Sequence, residues 1–328
     1  MSTSNPAPLR HAVVATLSYH DLLDMPLTAT EVCRYLFNPK EGILESPTLS
    51  EVEQSLNDLV KEGILNFSLG YYTFPSREKL INQRIRNHAV AQIKWRRLRH
   101  IAWFLQAVPF LEMVAASGSL ARELVKEDSD LDVLLITRSG RIWTVRFVVT
   151  VVLDALGLRR RPTGPTKNLV CLNHYLAQDA LKLPYQSVYT ALEYARVVPL
   201  FGEKQCWKFR MENKEWMEKY LVCILPDNTR HIKTVKHFFV FKIIKRTGEI
   251  ILRGFIGDVV ERWLGNEQKK RIARGIEASE TGGRVIASAM HLEFHPHSKE
   301  APLLRAFNEK MAQMELVEFG NQKDSGLS

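Results

Sequence analysis

Cysteine is scarce in this chain, and no two cysteines form a C-x-x-C pair. The four lie far apart in a sequence of 328 residues: Cys33, Cys171, Cys206 and Cys223. A disulfide framework and a zinc knuckle both need closely spaced cysteines, so this spacing disfavours both. It is typical of a protein from a reducing compartment.

A secretory signal and a long apolar run are also absent from the sequence. The opening "MSTSNPAPLR" lacks the charged-then-apolar pattern of a signal peptide. The most apolar run, Phe147 to Leu158, contains Asp154 and is too short to cross about 30 Å of hydrocarbon. We therefore expect a cytoplasmic protein without a membrane span, long enough for two or three domains.

Positive charge is scarce in residues 1–75, where three helical patterns precede an alternating stretch. This segment has four basic and nine acidic side chains, a net charge of −5, whereas the whole chain carries +9. Thr28 and Glu31 have the spacing of a capping box, and Gly70 divides the alternating stretch into a hairpin. Three helices and a hairpin resemble a winged helix. The acidic third helix disfavours DNA binding without excluding it, and favours a protein partner.

A long helical pattern, residues 76–108, follows as a predicted connecting helix. We expect its basic side chains to face solvent, with a positive wall beside an anionic substrate as the alternative. These side chains are Arg84, Arg86, Lys94, Arg96, Arg97 and Arg99.

Motif residues are concentrated in "VAASGSLARELVKEDSDLDVLLIT", residues 114–137. A buried strand pattern ends in a turn at Gly118 and Ser119, and "LARELVKE" is predicted to begin a helix. Asp130 and Asp132 are two residues apart on the next strand pattern, so both carboxylates project from one face. Mg²⁺ prefers one or two carboxylates together with phosphate oxygens. The sequence therefore predicts a metal site at the two aspartates, next to a turn that binds phosphate.

This pattern resembles the nucleotidyltransferases of the DNA polymerase β-like superfamily, especially its minimal branch. The motif residues are Gly118-Ser119, Ala121-Arg122 and Ser129-Asp130-Leu131-Asp132. The resemblance implies a nucleotidyltransferase domain over residues 109–201. It also implies that Asp130 and Asp132 are catalytic and bind Mg²⁺ or Mn²⁺. The nucleotide would be bound by Gly118, Ser119, Arg122 and Ser129.

The chain departs from that family at two points. Glu123 stands where the branch has glycine, so we expect the loop to follow an ordinary helical course. The next strand, residues 168–176, lacks the family's third carboxylate and offers Asn173 and His174. Asparagine cannot act as a general base, whereas histidine can at neutral pH. Glu193, on a later helix, is the other candidate base, since some aminoglycoside-modifying relatives use a glutamate outside the motif.

The remaining features leave several alternatives open. A basic loop, residues 159–167, could bind the triphosphate or stay in solvent.

Residues 202–318 are predicted to be mainly helical and 319–328 to be a disordered tail. The apolar, lysine-rich stretch 231–265 could lie on a membrane surface, but we favour a helix pair packed on the central domain. A metal site is disfavoured at three spaced histidines, which are His291, His295 and His297.

The sequence thus predicts an α+β protein with a winged-helix-like domain, a nucleotidyltransferase sheet and a helical C-terminal region. Its expected activity is transfer of a nucleoside monophosphate from a nucleoside triphosphate to an acceptor hydroxyl, with Mg²⁺ or Mn²⁺ as cofactor. The acceptor could be a small molecule, an RNA end or a protein. The alternative is a catalytically degenerate fold that senses nucleotides or regulates through its winged helix.

Overall fold

The computed structural model describes residues 6–38, 46–161, 164–222, 233–277, 284–295 and 299–324. The N-terminal part has three helices, a hairpin and a long fourth helix, in the predicted order. These elements are α1 (Pro6–Asp21), α2 (Ala29–Tyr35), α3 (Leu49–Lys61), β1 (Asn66–Ser68), β2 (Tyr71–Thr73) and α4 (Lys79–Leu105). The Thr28 hydroxyl and the Glu31 carboxylate form the predicted capping box, and Thr48 and Glu51 form a second one at α3.

Strands and helices alternate in the centre of the chain, and helices predominate after it. The central elements are β3 (Leu111–Ala116), α5 (Gly118–Ala121), β4 (Leu131–Thr137), α6 (Ile142–Ala155), β5 (Val170–Ala177), α7 (Val188–Tyr194) and β6 (Val198–Phe201). The later ones are α8 (Glu203–Met217), α9 (Phe239–Ile251), α10 (Gly254–Glu277), β7 (Arg284–Ala287), β8 (His291–His295) and α11 (Glu300–Asp324). Helix α11 thus extends into the predicted tail, of which residues 325–328 lie outside the described ranges.

One mixed sheet of six strands organises the molecule, in the order β6-β3-β4-β5-β8-β7. Strands β4 and β5 are parallel, and the other neighbouring pairs are antiparallel. The β7–β8 hairpin comes from the C-terminal region, yet β8 pairs with β5 at the centre of the chain. The C-terminal region therefore completes the central sheet as well as supplying helices, and the fold is α+β.

The two faces of the sheet have separate hydrophobic cores. Leu134 and Ile136 of β4 face a core shared with α1, α2, α3, α7 and α8. Val133 and Leu135, which alternate with them, face a core shared with α4 and α6. The N-terminal helices therefore belong to the same hydrophobic core as this face of the sheet.

The predicted helix pair 231–265 is partly as expected. Helix α10 packs on α6: Leu264 is buried, and Glu261 accepts hydrogen bonds from the backbone N–H groups of Trp143 (2.9 Å) and Thr144 (2.8 Å). Helix α9 has no buried residue, which corrects the interpretation that both helices pack through their apolar sides. Within the described ranges, no helix has both the length and the apolar character needed to cross a membrane.

Candidate functional site

The Gly118–Ser119 turn lies against Asp132 at the end of β3. The Ser117 backbone N–H donates to the Asp132 carbonyl oxygen at 3.1 Å, which joins the start of the turn to β4. Gly118 has a φ of +60°, and a Cβ there would lie 2.5 Å from Asp132 Oδ2. Glycine is the residue that this position favours, because the positive φ and the close approach of Asp132 would both strain a larger residue.

Asp130 and Asp132 lie side by side, as predicted. Their carboxylate oxygens and the Cys171 sulfur all lie within 4.8 Å of one another. Leu131, between them, is completely buried on the other side of β4. The parallel register of β4 and β5 places Cys171 opposite Asp132. Burial, followed by the charges of the two aspartates, raises the pKa of the Cys171 thiol, so the thiol is neutral.

Asn173 occupies the position expected for a third carboxylate. The β4–β5 register shifts between Asp132 and Leu134, which inserts one residue in β5 and turns Asn173 toward Asp132. Asn173 Nδ2 donates to Asp132 Oδ1 at 3.0 Å. The amide oxygen of Asn173 is buried and, among the residues that the structure describes, has no hydrogen-bond partner. A buried amide oxygen without a donor is rare in native structures and fits a site that accepts a cation.

Arg160 is the member of the basic loop that reaches the site. Its guanidinium donates to Asp130 and lies 3.5 Å from the Cys171 sulfur. Arg159 and Arg161 instead pair with Asp154, at 2.9 and 3.5 Å. Of the loop, residues 162 and 163 lie outside the described ranges.

The electrostatics of Asp132 also fit a cation. Burial raises the pKa of its carboxyl to about 7, with further contributions from the negative charges of Asp130 and Glu193. Arg160 and Arg122 oppose this increase only in part. Two close carboxylates therefore lack a full counter-charge, which a divalent cation would provide.

The two candidate bases lie apart from the close group. Glu193 is buried on α7, and within the described residues the group formed by Asp130, Asp132 and Cys171 does not include it. Its negative charge raises the pKa of Arg122, after the opposing effect of burial. His174 contacts Tyr194 and His291 instead of the aspartates. Its Nδ1 lies 2.6 Å from the Tyr194 hydroxyl, and its Nε2 lies 2.9 Å from His291 Nε2.

The other predicted nucleotide-binding residues differ in their placement. Arg122 is buried, and its Nε donates to the Gly118 carbonyl oxygen at 3.4 Å. The Ser129 hydroxyl accepts from the Lys126 backbone N–H at 2.9 Å. Both residues thus stabilise the motif loop. Ser119 is partly exposed, and its hydroxyl has no partner within the part of the chain that the structure describes.

The loop after Ala121 does not follow the predicted helical course. Helix α5 ends at Ala121, and Glu123 has a φ of +59°, the left-handed conformation that glycine adopts readily. Arg84 of α4 donates to the Glu123 carbonyl oxygen and pairs with Glu31 at 2.6 Å. Glu123 thus adopts a conformation that glycine prefers, and Arg84 of α4 holds it there.

Lys94 contacts the loop that precedes Asp130. Its ammonium donates to the carbonyl oxygens of Glu127 (3.1 Å) and Ser129 (2.6 Å), and to the Asn168 amide oxygen (2.9 Å). Lys94 and Arg84 are buried, which corrects the prediction that they face solvent. The sequence held a signal for this, since Lys94 shares one helical stripe with Leu98 and Ile101.

Comparison with known proteins gives no further identification. Searches with this chain match no protein-family model, no curated protein and no solved structure.

Proposed function

We propose that the chain is a divalent-cation-dependent nucleotidyltransferase of the polymerase β-like type. The observation that carries this proposal is the contact between Gly118 and Asp132, beside Asp130. A glycine-serine turn held against two carboxylates brings a phosphate-binding element to a cation site. The order of strands and helices around the two aspartates supports the same assignment. The three N-terminal helices and the hairpin support a winged-helix-like domain.

The residues present fit Mg²⁺ or Mn²⁺. Asp130 and Asp132 would hold the ion, and the partnerless amide oxygen of Asn173 offers a further oxygen ligand. When bound, the ion would neutralise the triphosphate and polarise its α-phosphate. Arg160, which pairs with Asp130, is the basic side chain that would bind phosphate oxygens at this site.

The chain's own contribution to the reaction is mainly positioning. The Ser119 hydroxyl, at the exposed side of the turn, would donate to the β- or γ-phosphate. The acceptor hydroxyl attacks the α-phosphorus, its oxygen forms the new P–O bond, and pyrophosphate leaves with the electrons of the broken bond. The hydroxyl proton passes to a base, for which Glu193 is the candidate, or to solvent. Alignment and charge neutralisation account for most of the catalysis in such reactions.

A nucleotide-binding regulator without transferase activity is the second candidate. It is favoured by one observation, the amide of Asn173 at the position of the third carboxylate. In that case the cation and nucleotide bind, but no group nearby accepts the proton. The acidic N-terminal helices would then transmit nucleotide binding to a protein partner.

Calorimetric titration of the four ribonucleoside triphosphates, with and without Mg²⁺, tests the site. We expect Mg²⁺-dependent binding in the wild type and in Asp128→Asn, an exposed neighbour, and loss of binding in Asp132→Asn. Incubation with α-labelled nucleotide and candidate acceptors then separates the two functions: label transfer indicates the enzyme, and binding without transfer indicates the regulator. Absence of binding under all conditions would contradict both.

A further inference from the structure

Helix α9 contacts the rest of the molecule along one edge, where the Phe241 ring lies 4.5 Å from the Trp103 ring and polar side chains of the helix also form hydrogen bonds. Lys245 donates to the Leu111 carbonyl oxygen at 2.6 Å, and the Glu249 carboxylate accepts from the Phe110 backbone N–H at 3.1 Å. An amphipathic helix normally packs with its apolar side inward. In α9 only the edge that carries Phe241 packs inward, and no residue of the helix is buried.

Large apolar side chains of α9 face solvent, as do several at the start of α10. The most exposed side chains are Phe239 (73%) and Phe255 (78%). We call this surface the α9–α10 apolar face; it comprises Phe239, Val240, Ile243, Ile244, Ile250, Ile251, Phe255, Ile256, Val259 and Trp263. So many large exposed apolar side chains together indicate a binding surface.

Positive charge accompanies this apolar face. A cleft of about 660 Å³ at its edge contains Ile250 and four arginines, which are Arg138, Arg141, Arg246 and Arg253. The acidic residues nearby are already paired: Glu249 with Arg138 at 3.2 Å, and Asp258 with Arg141 at 2.7 Å. Arg246 and Arg253 are exposed and have no ion-pair partner among the described residues. The edge of the face is therefore suited to anionic groups.

We propose that the α9–α10 apolar face binds the surface of an anionic lipid bilayer. The phenylalanine, isoleucine and tryptophan side chains enter the boundary between headgroups and acyl chains, and the arginine cleft binds lipid phosphate. Aromatic and aliphatic side chains beside exposed basic residues are the features of interfacial helices. Bilayer binding accounts for both the exposed apolar side chains of the two helices and the exposed Arg246 and Arg253.

Vesicle co-sedimentation of the full chain tests this proposal. We expect binding to phosphatidylcholine vesicles that contain phosphatidylglycerol, weaker binding to phosphatidylcholine alone, and release by salt. Phe239→Ser with Phe255→Ser should weaken binding by about tenfold or more. Arg246→Glu with Arg253→Glu should remove the preference for anionic lipid. Leu69→Ser and Arg96→Glu serve as controls, because they change an exposed apolar and an exposed basic residue outside the α9–α10 apolar face. Both controls should bind vesicles as the wild type does.

Three outcomes would overturn the proposal. One is absence of wild-type binding to anionic vesicles at low salt, and another is unchanged binding of both double variants. The third is a wild-type dimer in light scattering that the phenylalanine variant converts to a monomer, with no vesicle binding. That result would assign the face to a second copy of the chain.

A separate observation concerns three side chains at the β5–β8 pairing. His174 Nε2 lies 2.9 Å from His291 Nε2, which lies 3.4 Å from Glu293 Oε2, and the three ligand atoms are mutually within 4.8 Å. His174 and Glu293 are buried and lie opposite each other in the sheet register. Two imidazoles and a carboxylate are typical ligands of Zn²⁺.

The groups behind these ligands orient them toward a common point. The Tyr194 hydroxyl lies 2.6 Å from His174 Nδ1, so the other ring nitrogen can direct its lone pair inward. Arg284 Nε donates to Glu293 Oε1 at 2.6 Å, and Oε2 is the oxygen that faces His291 Nε2. We infer that His174, His291 and Glu293 bind a transition-metal ion of the Zn²⁺ type, apart from the aspartate site.

Titration of Co²⁺ into metal-free protein, followed by visible absorption, tests this second site. We expect about one equivalent to bind, displaced by Zn²⁺, and an increase in thermal stability with Zn²⁺. His291→Gln should lose both effects, whereas Asp132→Asn and the exposed-histidine variant His100→Gln should keep them. Absence of any Co²⁺ spectrum and of any Zn²⁺ stabilisation in the wild type would overturn the inference, whether or not the variant folds.

Discussion

Gly118 approaches Asp132 so closely that a Cβ at Gly118 would lie 2.5 Å from Asp132 Oδ2. This contact joins the turn after β3 to the carboxylate on β4. It depends on a positive φ and on the absence of a side chain, two properties that glycine alone combines. The relative position of the turn and the proposed cation ligand is therefore determined by one residue.

Replacing Gly118 tests that contact. Gly118→Ala should lower the free energy of unfolding by more than the roughly 1–2 kcal/mol expected for alanine in the left-handed conformation, because Asp132 must also move. It should also weaken Mg²⁺-dependent nucleotide binding. Gly63→Ala is the matched control, since Gly63 has a φ of +75° and open space around its Cβ position. Denaturant unfolding measures the loss of stability in each variant. Equal losses in Gly118→Ala and Gly63→Ala would contradict the steric role of Gly118.

Asn173 offers a gain-of-binding test. Asn173→Asp adds a third carboxylate next to Asp132, so it should lower stability without cations and increase affinity for Mn²⁺. Thermal unfolding with and without Mn²⁺ should show a larger stabilisation by Mn²⁺ than in the wild type. Asn82→Asp introduces the same charge at an exposed position and serves as control. A Mn²⁺ effect equal to that of the control would argue against a cation site.

Lys94 should stabilise the loop that precedes Asp130. Lys94→Met would leave the carbonyl oxygens of Glu127 and Ser129 without their charged donor, at a cost of about 3 kcal/mol in unfolding free energy. Lys126→Met, at an exposed lysine, should cost much less. Denaturant unfolding provides the comparison, and similar losses in the two variants would refute a structural role for Lys94.

The parts of the fold that depend on local pattern could be predicted from the sequence. Alternation around Leu131 placed the two aspartates on one face, and the structure has them side by side. The Thr28–Glu31 capping box is likewise a local signal, and it begins α2. Such features depend on neighbours within a few residues, so the sequence contains the information directly.

The parts that depend on long-range pairing could not be predicted. Strand β8 joins β5 across more than a hundred residues, which brings His291 and Glu293 to His174, and no local pattern indicates that partner. Glu123 adopts a positive φ because Arg84 and the surrounding packing hold the loop, against its own preference. The exposure of α9 is similar: its composition shows large apolar side chains, but only the structure shows that several of them face outward.

His20 should make stability depend on pH in the acid range. It is buried on α1, and its Nδ1 donates to the Thr16 carbonyl oxygen at 2.7 Å. Burial, followed by nearby arginine charges, lowers its pKa from 6.5 to about 4, so the folded protein keeps the ring neutral. Above pH 6.5 the ring is neutral in both states and causes no loss of stability. Between pH 6.5 and about 4 only the unfolded state is protonated, which removes about 3 kcal/mol of unfolding free energy. Chemical denaturation at several pH values should show a smaller decline of unfolding free energy in His20→Gln than in the wild type. The exposed control His100→Gln should decline as the wild type does. Parallel declines in all three proteins would show that His20 is not the cause of the pH dependence.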